Sequence, residues 1–182
     1  MSMRRYVLTV LAALAGAAQT GCAVFTPVPA FELLKATATA TSTAISFGPS
    51  KASNTVRHDH APFQSVCIEL NRQAPVQDVL PALQAELRNL QIDSRIYDTG
   101  ITPESCAIWL RYATTMDWGI PPFQAEHRPY LTAASLTLQT SEGRILSSSQ
   151  YTLDTVFGVG KWASTRSKIS PVVVALITGF EN

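Results

Sequence analysis

The sequence predicts an α+β domain, built on a mixed sheet of four to five strands with a crossover helix and a C-terminal helix packed on one face. Alternating apolar residues indicate strands at 66–71 and 106–118. Two apolar stripes at helical spacing follow the first strand and end the chain. The predicted order is therefore strand, helix, strand, a three-strand meander and a helix.

A half-buried strand opens the folded part of the chain. One face of this strand carries Val66, Ile68 and Leu70, and the other carries Cys67, Glu69 and Asn71. A short second strand is expected at Ser94–Tyr97, after the crossover helix. A strand, a helix and a parallel strand in this order form a right-handed crossover.

The crossover helix is indicated by one apolar stripe, formed by Val76, Val79, Leu80, Leu83, Leu87 and Leu90. We expect Asp78 to be its N-cap, because Pro81 then lies in the first turn, where backbone N–H groups have no intrahelical partner. Glu86 and Arg88 lie off the stripe and are expected to be solvated.

The clearest strand in the sequence is Cys106–Trp118. The face predicted to pack in the core carries Ile108, Leu110, Tyr112, Met116 and Trp118. A loop rich in glycine and proline, Gly119–Pro129, separates it from strands at Leu131–Thr140 and Ile145–Asp154. The short turn at 141–144 between these two strands is typical of a hairpin.

The chain ends in a helix with the apolar stripe Ile169, Val172, Val173, Leu176, Ile177 and Phe180. Ser170 and Pro171 are expected as its N-cap and first residue, and Gly179 as its C-terminal stop.

The first 21 residues have the features of a secretory signal peptide. Arg4 and Arg5 precede an apolar run that is shorter than the roughly 20 residues needed to span a bilayer. Residues 22–62 are rich in Ala, Thr, Ser and Pro, and we expect them to form a flexible tether to a single domain at 63–182. An edge strand at Thr39–Phe47 is the alternative for part of this tether.

The end of the signal, Thr20–Cys22, resembles the lipobox of bacterial lipoproteins, although Gln19 stands where an aliphatic residue is usual. The resemblance implies cleavage before Cys22, acyl chains on Cys22 that hold the protein in the membrane, and a location at the periplasmic face of the outer membrane. The alternative is a plain signal peptide cut after Ala15 or Ala18.

The domain also resembles small envelope lipoproteins of proteobacteria. The matching features are the signal ending in Cys22, the strand VCIELN, the helix VLPALQAELRNL, the strand CAIWLRYATTMDW and the segment KWAST before the last helix. The order of elements is similar to that of auxiliary lipoproteins of lipid-transport and secretion machines. Such similarity implies a fold and does not transfer a function.

The charge of the chain does not favour a nucleic-acid partner. Without the first 21 residues, 12 basic side chains face 13 acidic ones. There is no basic surplus to neutralise phosphates or anionic lipids.

The two remaining cysteines, Cys67 and Cys106, are expected to form a disulfide, because an exported protein meets an oxidising compartment. The bond would close a loop of about 40 residues and add about 4 kcal/mol to stability. Cys67 and Cys106 differ in phase along their strands, so the bond requires a bulge or an irregular strand start. Two buried thiols, or one free reactive cysteine, are the alternatives.

The sequence indicates no catalytic residue, metal site or cofactor. His58, Asp59 and His60 form the one histidine cluster, but they are adjacent within the tether and lack a spaced third ligand. The serines at 147–149 lack a nucleophile elbow, and residues 158–161 lack the length and the hydroxyl of a phosphate loop.

A binding surface is indicated by Trp109 and Arg111, on the strand face opposite Ile108. Aromatic and arginine side chains are enriched at interfaces. Together with the loop Gly119–Pro129, they are predicted to form an edge that binds a partner or a lipid.

We therefore expect a lipid-anchored, non-enzymatic accessory or structural subunit of a cell-envelope complex, with an envelope protein as its partner. The alternative is a module that binds a small ligand or a lipid in a hollow between sheet and helices. A periplasmic hydrolase is a third interpretation.

Overall fold

The computed structural model describes residues 45–74, 76–101, 103–156 and 158–181. Its strands and helices are, in chain order, β1 (Ser53–Arg57), β2 (Ser65–Glu69), α1 (Val76–Asn89), β3 (Asp93–Tyr97), β4 (Ile108–Gly119), β5 (Arg128–Thr140), β6 (Ile145–Thr152) and α2 (Thr165–Thr178).

The strands form one mixed sheet, in the order β1-β6-β5-β4-β2-β3. Strand β2 pairs in parallel with both β3 and β4, and the other pairs are antiparallel. Helix α2 packs on the sheet through apolar residues that it shares with the core. The predicted α+β class, with a mixed sheet and a packed C-terminal helix, is confirmed.

Among the described residues the sheet has six strands, so the predicted count of four to five is wrong. The additional strand is β1, which lies inside the segment 22–62 predicted as tether. This five-residue edge strand pairs Val56 with Ser148 and Arg57 with Ser147, and most of its side chains face solvent. Because β1 buries little apolar surface, apolar and polar residues do not alternate strongly in its sequence. Pairing with β6 provides the hydrogen-bond partners of its backbone. The alternative edge strand at Thr39–Phe47 lies mostly outside the described residues, and residues 45–47 are not in a strand.

Apolar side chains fill the space between the sheet and the two helices. The fully buried members are Ile68, Leu83, Leu87, Leu110, Leu136, Leu138, Ile169, Val172, Val173 and Leu176, each 0% exposed. The hollow between sheet and helices that the alternative, ligand-binding interpretation requires is therefore occupied by packed side chains.

Both helices begin earlier than predicted. Helix α1 begins at Val76, and α2 begins at Thr165 with Ser164 as its N-cap, so Pro81 and Pro171 both lie inside a helix. Each proline removes one intrahelical hydrogen bond, and the buried stripe of each helix outweighs that loss. The predicted stop at Gly179 is confirmed, because Gly179 adopts the left-handed conformation with φ 83°.

Glu86, predicted to be solvated, is 6% exposed and joins the two helices. It accepts hydrogen bonds from Arg166 at 2.6 Å and from Ser170 at 2.9 Å, both on α2. Burial opposes ionisation of Glu86, but the hydrogen bonds from Arg166 and Ser170 outweigh it and hold the pKa of the carboxyl below its usual value. The prediction failed because α2 was expected to begin after Arg166.

Candidate functional site: the Trp118 end of the sheet

Trp109, predicted to be exposed, is 7% exposed and belongs to a small cluster with Cys67 and Cys106. Its ring lies 5.9 Å from that of Tyr97, measured between centroids. Arg111 is half exposed and forms an ion pair with Glu69, with 2.6 Å between Nε and Oε2. The exposure assumed for Trp109 was therefore wrong.

The predicted disulfide between Cys67 and Cys106 is present, with Cα atoms 5.9 Å apart. Cys106 lies two residues before the start of β4, in the connection from β3. Strand alternation does not apply there, so the difference in phase with Cys67 requires no bulge. Of the two possibilities, a bulge or an irregular strand start, the structure shows the second, because β4 begins only after Cys106.

Exposed apolar side chains are concentrated at the opposite end of β4. Trp118 is 64% exposed, Ile120 is 50% exposed and Phe123 is 88% exposed. We call these three side chains the apolar tip. The prediction that Trp118 packs in the core is wrong. Because β4 rises about 3.3 Å per residue, Trp109 and Gly119 are about 33 Å apart, and the predicted surface does not come together.

A pair of aromatic rings, Tyr130 and Trp162, lies beside Gly119, and we call it the aromatic stack. The rings of Tyr130 and Trp162 meet edge-to-face at 5.0 Å, and the Lys161 ammonium lies 4.6 Å from the centroid of Tyr130. A Cβ at Gly119 would lie only 3.3 Å from both aromatic rings, so glycine permits this close packing. Asp117 accepts hydrogen bonds from the Trp118 backbone N–H at 2.8 Å and from the Tyr130 hydroxyl at 3.0 Å.

These donors stabilise the ionised form of Asp117. The Trp118 N–H, then the Tyr130 hydroxyl and the charge of Lys161, lower the pKa of this carboxyl below its usual value. The charged Asp117 carboxylate thus accepts a hydrogen bond from the Tyr130 hydroxyl and orients its ring.

The first described residues of the chain lie against the same stack. The carbonyl of Ile45 accepts a hydrogen bond from Gly160 at 3.0 Å, and the carbonyl of Ser46 accepts one from Trp162 at 2.8 Å. The chain from the N-terminal segment therefore joins the domain beside Trp162.

A cleft of about 600 Å³ opens next to the stack, between α1, the β4–β5 loop and the start of α2. Its walls are apolar and aromatic with polar groups at the rim, and include Phe47, Ala82, Ala85, Pro121, Arg128, Tyr130, Trp162, Ser164 and Arg166. The sequence did not indicate that residues of α1 and of the start of α2 line this cleft, because only the packing of the helices brings them there.

A buried lysine lies behind the stack. Lys168 is 0% exposed and donates hydrogen bonds at 2.8 Å to the carbonyls of Leu131 and Lys161. Its ammonium also lies 5.7 Å from the ring centroid of Tyr130 and 5.8 Å from that of Tyr151. Burial, with the nearby charge of Lys161, lowers the pKa of Lys168 to about 8. This buried amine therefore links the backbone of β5 to the segment before α2.

The remaining predicted positions do not form a second site. His60 contacts the ring of Phe63 and hydrogen-bonds the carbonyl of Ala61 at 3.0 Å through Nδ1. In the part of the chain that the structure describes, no three potential metal ligands are grouped. Cys22 lies outside the described residues. No helix of the described segments is long and apolar enough to cross a membrane.

No protein-family model and no curated protein matches the chain. Among solved structures, the chain is similar to a PelC dodecamer from Paraburkholderia phytofirmans, with 13% sequence identity and a TM-score of 0.38. The alignment covers 66% of this chain and 98% of the other.

Proposed function

We propose that the protein is a lipid-anchored, non-enzymatic accessory subunit of a bacterial cell-envelope complex, and that it binds a protein partner in the cleft between α1 and the β4–β5 loop. The cleft is the observation that carries this proposal. Its lining includes aromatic rings and two arginines, which are residue types enriched at protein interfaces.

The envelope location is supported by two independent features. The N-terminal sequence has a signal and a lipobox-like end at Cys22. The domain contains a disulfide, Cys67–Cys106, which is typical of proteins in oxidising compartments.

The lining of the cleft suits a segment of a partner chain. Ala82 and Ala85, on α1, and Pro121, in the β4–β5 loop, contribute to it. The charged lining residues are Asp78, Arg128 and Arg166, and Arg166 is already paired with Glu86. Arg128 is exposed at the start of β5 and is positioned to meet an acidic side chain of the partner.

In-cell photo-crosslinking tests this proposal. A photoreactive residue in place of Ala85, inside the cleft, is expected to give a discrete adduct with an envelope protein. The matched control replaces Ala113, which is exposed on the strand face opposite the core residues Leu110 and Tyr112. The intact mass of the same chain, expected to begin at Cys22 with acyl groups, checks the anchor.

An identical adduct from positions 85 and 113, or no adduct from either, would count against a partner in the cleft. A mass without acyl groups would contradict the lipid anchor. The partner site would then be judged by the crosslinked adduct alone.

A small apolar ligand is the second candidate for the same cleft. The volume of about 600 Å³ falls within the range of ligand pockets. Native mass spectrometry of the purified chain distinguishes the two: a bound small molecule, released on denaturation, would favour this alternative.

A further inference from the structure

We propose that the apolar tip, Trp118, Ile120 and Phe123, inserts into the surface of the lipid bilayer that holds the acyl anchor. This rests on the proposed anchoring at Cys22 and adds a second, protein-made membrane contact. It assigns an orientation: the Trp118 end of the sheet faces the bilayer, and the disulfide end points away from it.

The exposure of the tip is the first observation. Within six residues of chain, three large apolar side chains are at least half exposed, and nothing in the described part of the domain covers them. Apolar side chains scattered singly over a surface are ordinary, but a concentrated group indicates a binding surface.

The backbone of the tip is the second observation. Phe123 has φ 61°, a left-handed conformation that is costly for a bulky residue. The loop holds this conformation with a hydrogen bond from the Gln124 N–H to the Pro121 carbonyl at 3.2 Å. The result is a ring that is 88% exposed to water. Strained residues that persist without an internal benefit indicate a functional contact.

The place at which the described chain begins favours the bilayer as the occupant. Ser46 is hydrogen-bonded to Trp162, and the Trp162 ring packs against Gly119, which lies between Trp118 and Ile120. The first described residues thus lie beside the tip. Ile45 is 23 residues beyond Cys22, so the chain between them can reach at most about 80 Å.

The charges around the tip indicate apolar insertion as the mode of contact. Asp117 is engaged by Tyr130, and Lys161 lies over the aromatic stack. Glu126, in the adjoining loop, and Arg128, at the start of β5, have opposite charges and are exposed. Trp is enriched at membrane interfaces, and Trp and Phe side chains enter the boundary between headgroups and acyl chains. We therefore expect binding that depends weakly on anionic lipid and on salt.

Vesicle sedimentation tests the proposal with residues 22–182 carrying Cys22→Ser, a chain that has neither the apolar signal segment nor acyl groups. The vesicles contain phosphatidylethanolamine with and without phosphatidylglycerol. The variant Ile120→Ser/Phe123→Ser is expected to lower the partition coefficient at least about tenfold, because two apolar side chains no longer enter the bilayer.

The matched control is Ile145→Ser/Phe180→Ser. Ile145 is 50% exposed, like Ile120, and Phe180 is 74% exposed, but both lie away from the tip, at the start of β6 and after α2. This control is expected to partition within about twofold of the parent chain. Circular dichroism confirms that both variants are folded.

Absence of vesicle binding by the parent chain, or an equal loss in both variants, would overturn the proposal. Binding that occurs only with phosphatidylglycerol and disappears in salt would also overturn it, since charge would then be the cause. Failure here leaves the cleft adduct from position 85 unaffected, so the two proposals fail separately.

Discussion

The two tryptophans of strand β4 have opposite environments. Trp109, near the start of β4, is 7% exposed, whereas Trp118, near its end, is 64% exposed. Strand alternation predicted the reverse, because Trp118 shares its phase with Leu110 and Tyr112, whose side chains are in the core.

The neighbours of β4 explain this difference. Near Trp109, β4 lies between β5 and β2, and the disulfide packs on the indole ring. Strand β2 pairs with β4 only at Trp109 and Leu110, so the half that carries Trp118 has β5 as its one paired neighbour. Alternation fixes the face to which a side chain points, and the neighbouring elements determine whether that face is covered.

The two ends are also held together by different interactions. The Trp109 end contains a covalent bond and a small apolar cluster. The Trp118 end contains the Tyr130–Trp162 pair and the buried ammonium of Lys168, which is held by backbone carbonyls. The stability of the two ends should therefore respond to different perturbations.

Removal of the disulfide should have the largest effect. The variant Cys67→Ala/Cys106→Ala is expected to lose about 4 kcal/mol in free energy of unfolding, because a loop of about 40 residues is no longer closed. Urea unfolding measures this loss. A loss below about 1 kcal/mol would show that the bond adds little to this end.

Truncation of the two tryptophans tests the comparison directly. Trp109→Ala is expected to cost about 3 kcal/mol, since it leaves a cavity beside the disulfide. Trp118→Ala is expected to change stability by less than about 0.5 kcal/mol, because its ring contributes little to the core. Equal costs for the two variants would contradict the assignment of one buried and one exposed ring.

The pH dependence of stability tests the Lys168 end. The pKa of Lys168 is about 8 in the folded protein and 10.5 when unperturbed, so the unfolded chain binds more protons between these values. The free energy of unfolding should rise by about 2 kcal/mol from about pH 7.5 to about pH 9.5.

Tyr151 sets the upper limit of that rise. Burial raises the pKa of Tyr151 from 10.0 to about 12. Above about pH 10 the Tyr151 hydroxyl therefore ionises in the unfolded chain before it does in the folded one, which lowers the free energy of unfolding. Lys168→Met should remove the rise below about pH 10, as measured by urea unfolding at several pH values. The same rise in Lys168→Met would exclude Lys168 as its cause.

Local patterns predicted the class of the fold but not its less regular parts. The alternation in β2 and the stripes of α1 and α2 arise from buried apolar surface, which the sequence displays directly. Strand β1 has almost no such surface, so only its pairing with β6 identifies it. The early start of α2 depends on the cap at Ser164, a position that precedes the apolar stripe.

The candidate site could be predicted only in part. The loop after β4 was predicted from its glycine and proline residues. It was assigned to a binding edge only because it was expected to lie beside Trp109, and that expectation is wrong. Trp162 and Phe47 were not linked to the loop, because they are far from it in sequence. The folded chain places Trp162 against Gly119 and Phe47 in the cleft.

The sequence by itself determined the α+β class and the periodic elements, and it predicted the pairing of Cys67 with Cys106. The class and the elements depend on residue type and on spacing over a few positions, and the pairing followed from the number of cysteines left in the domain. The tertiary structure alone decided which tryptophan is buried, where the cleft opens and why Lys168 has no contact with water. These properties depend on which elements become neighbours, and neighbours far apart in sequence leave no local pattern.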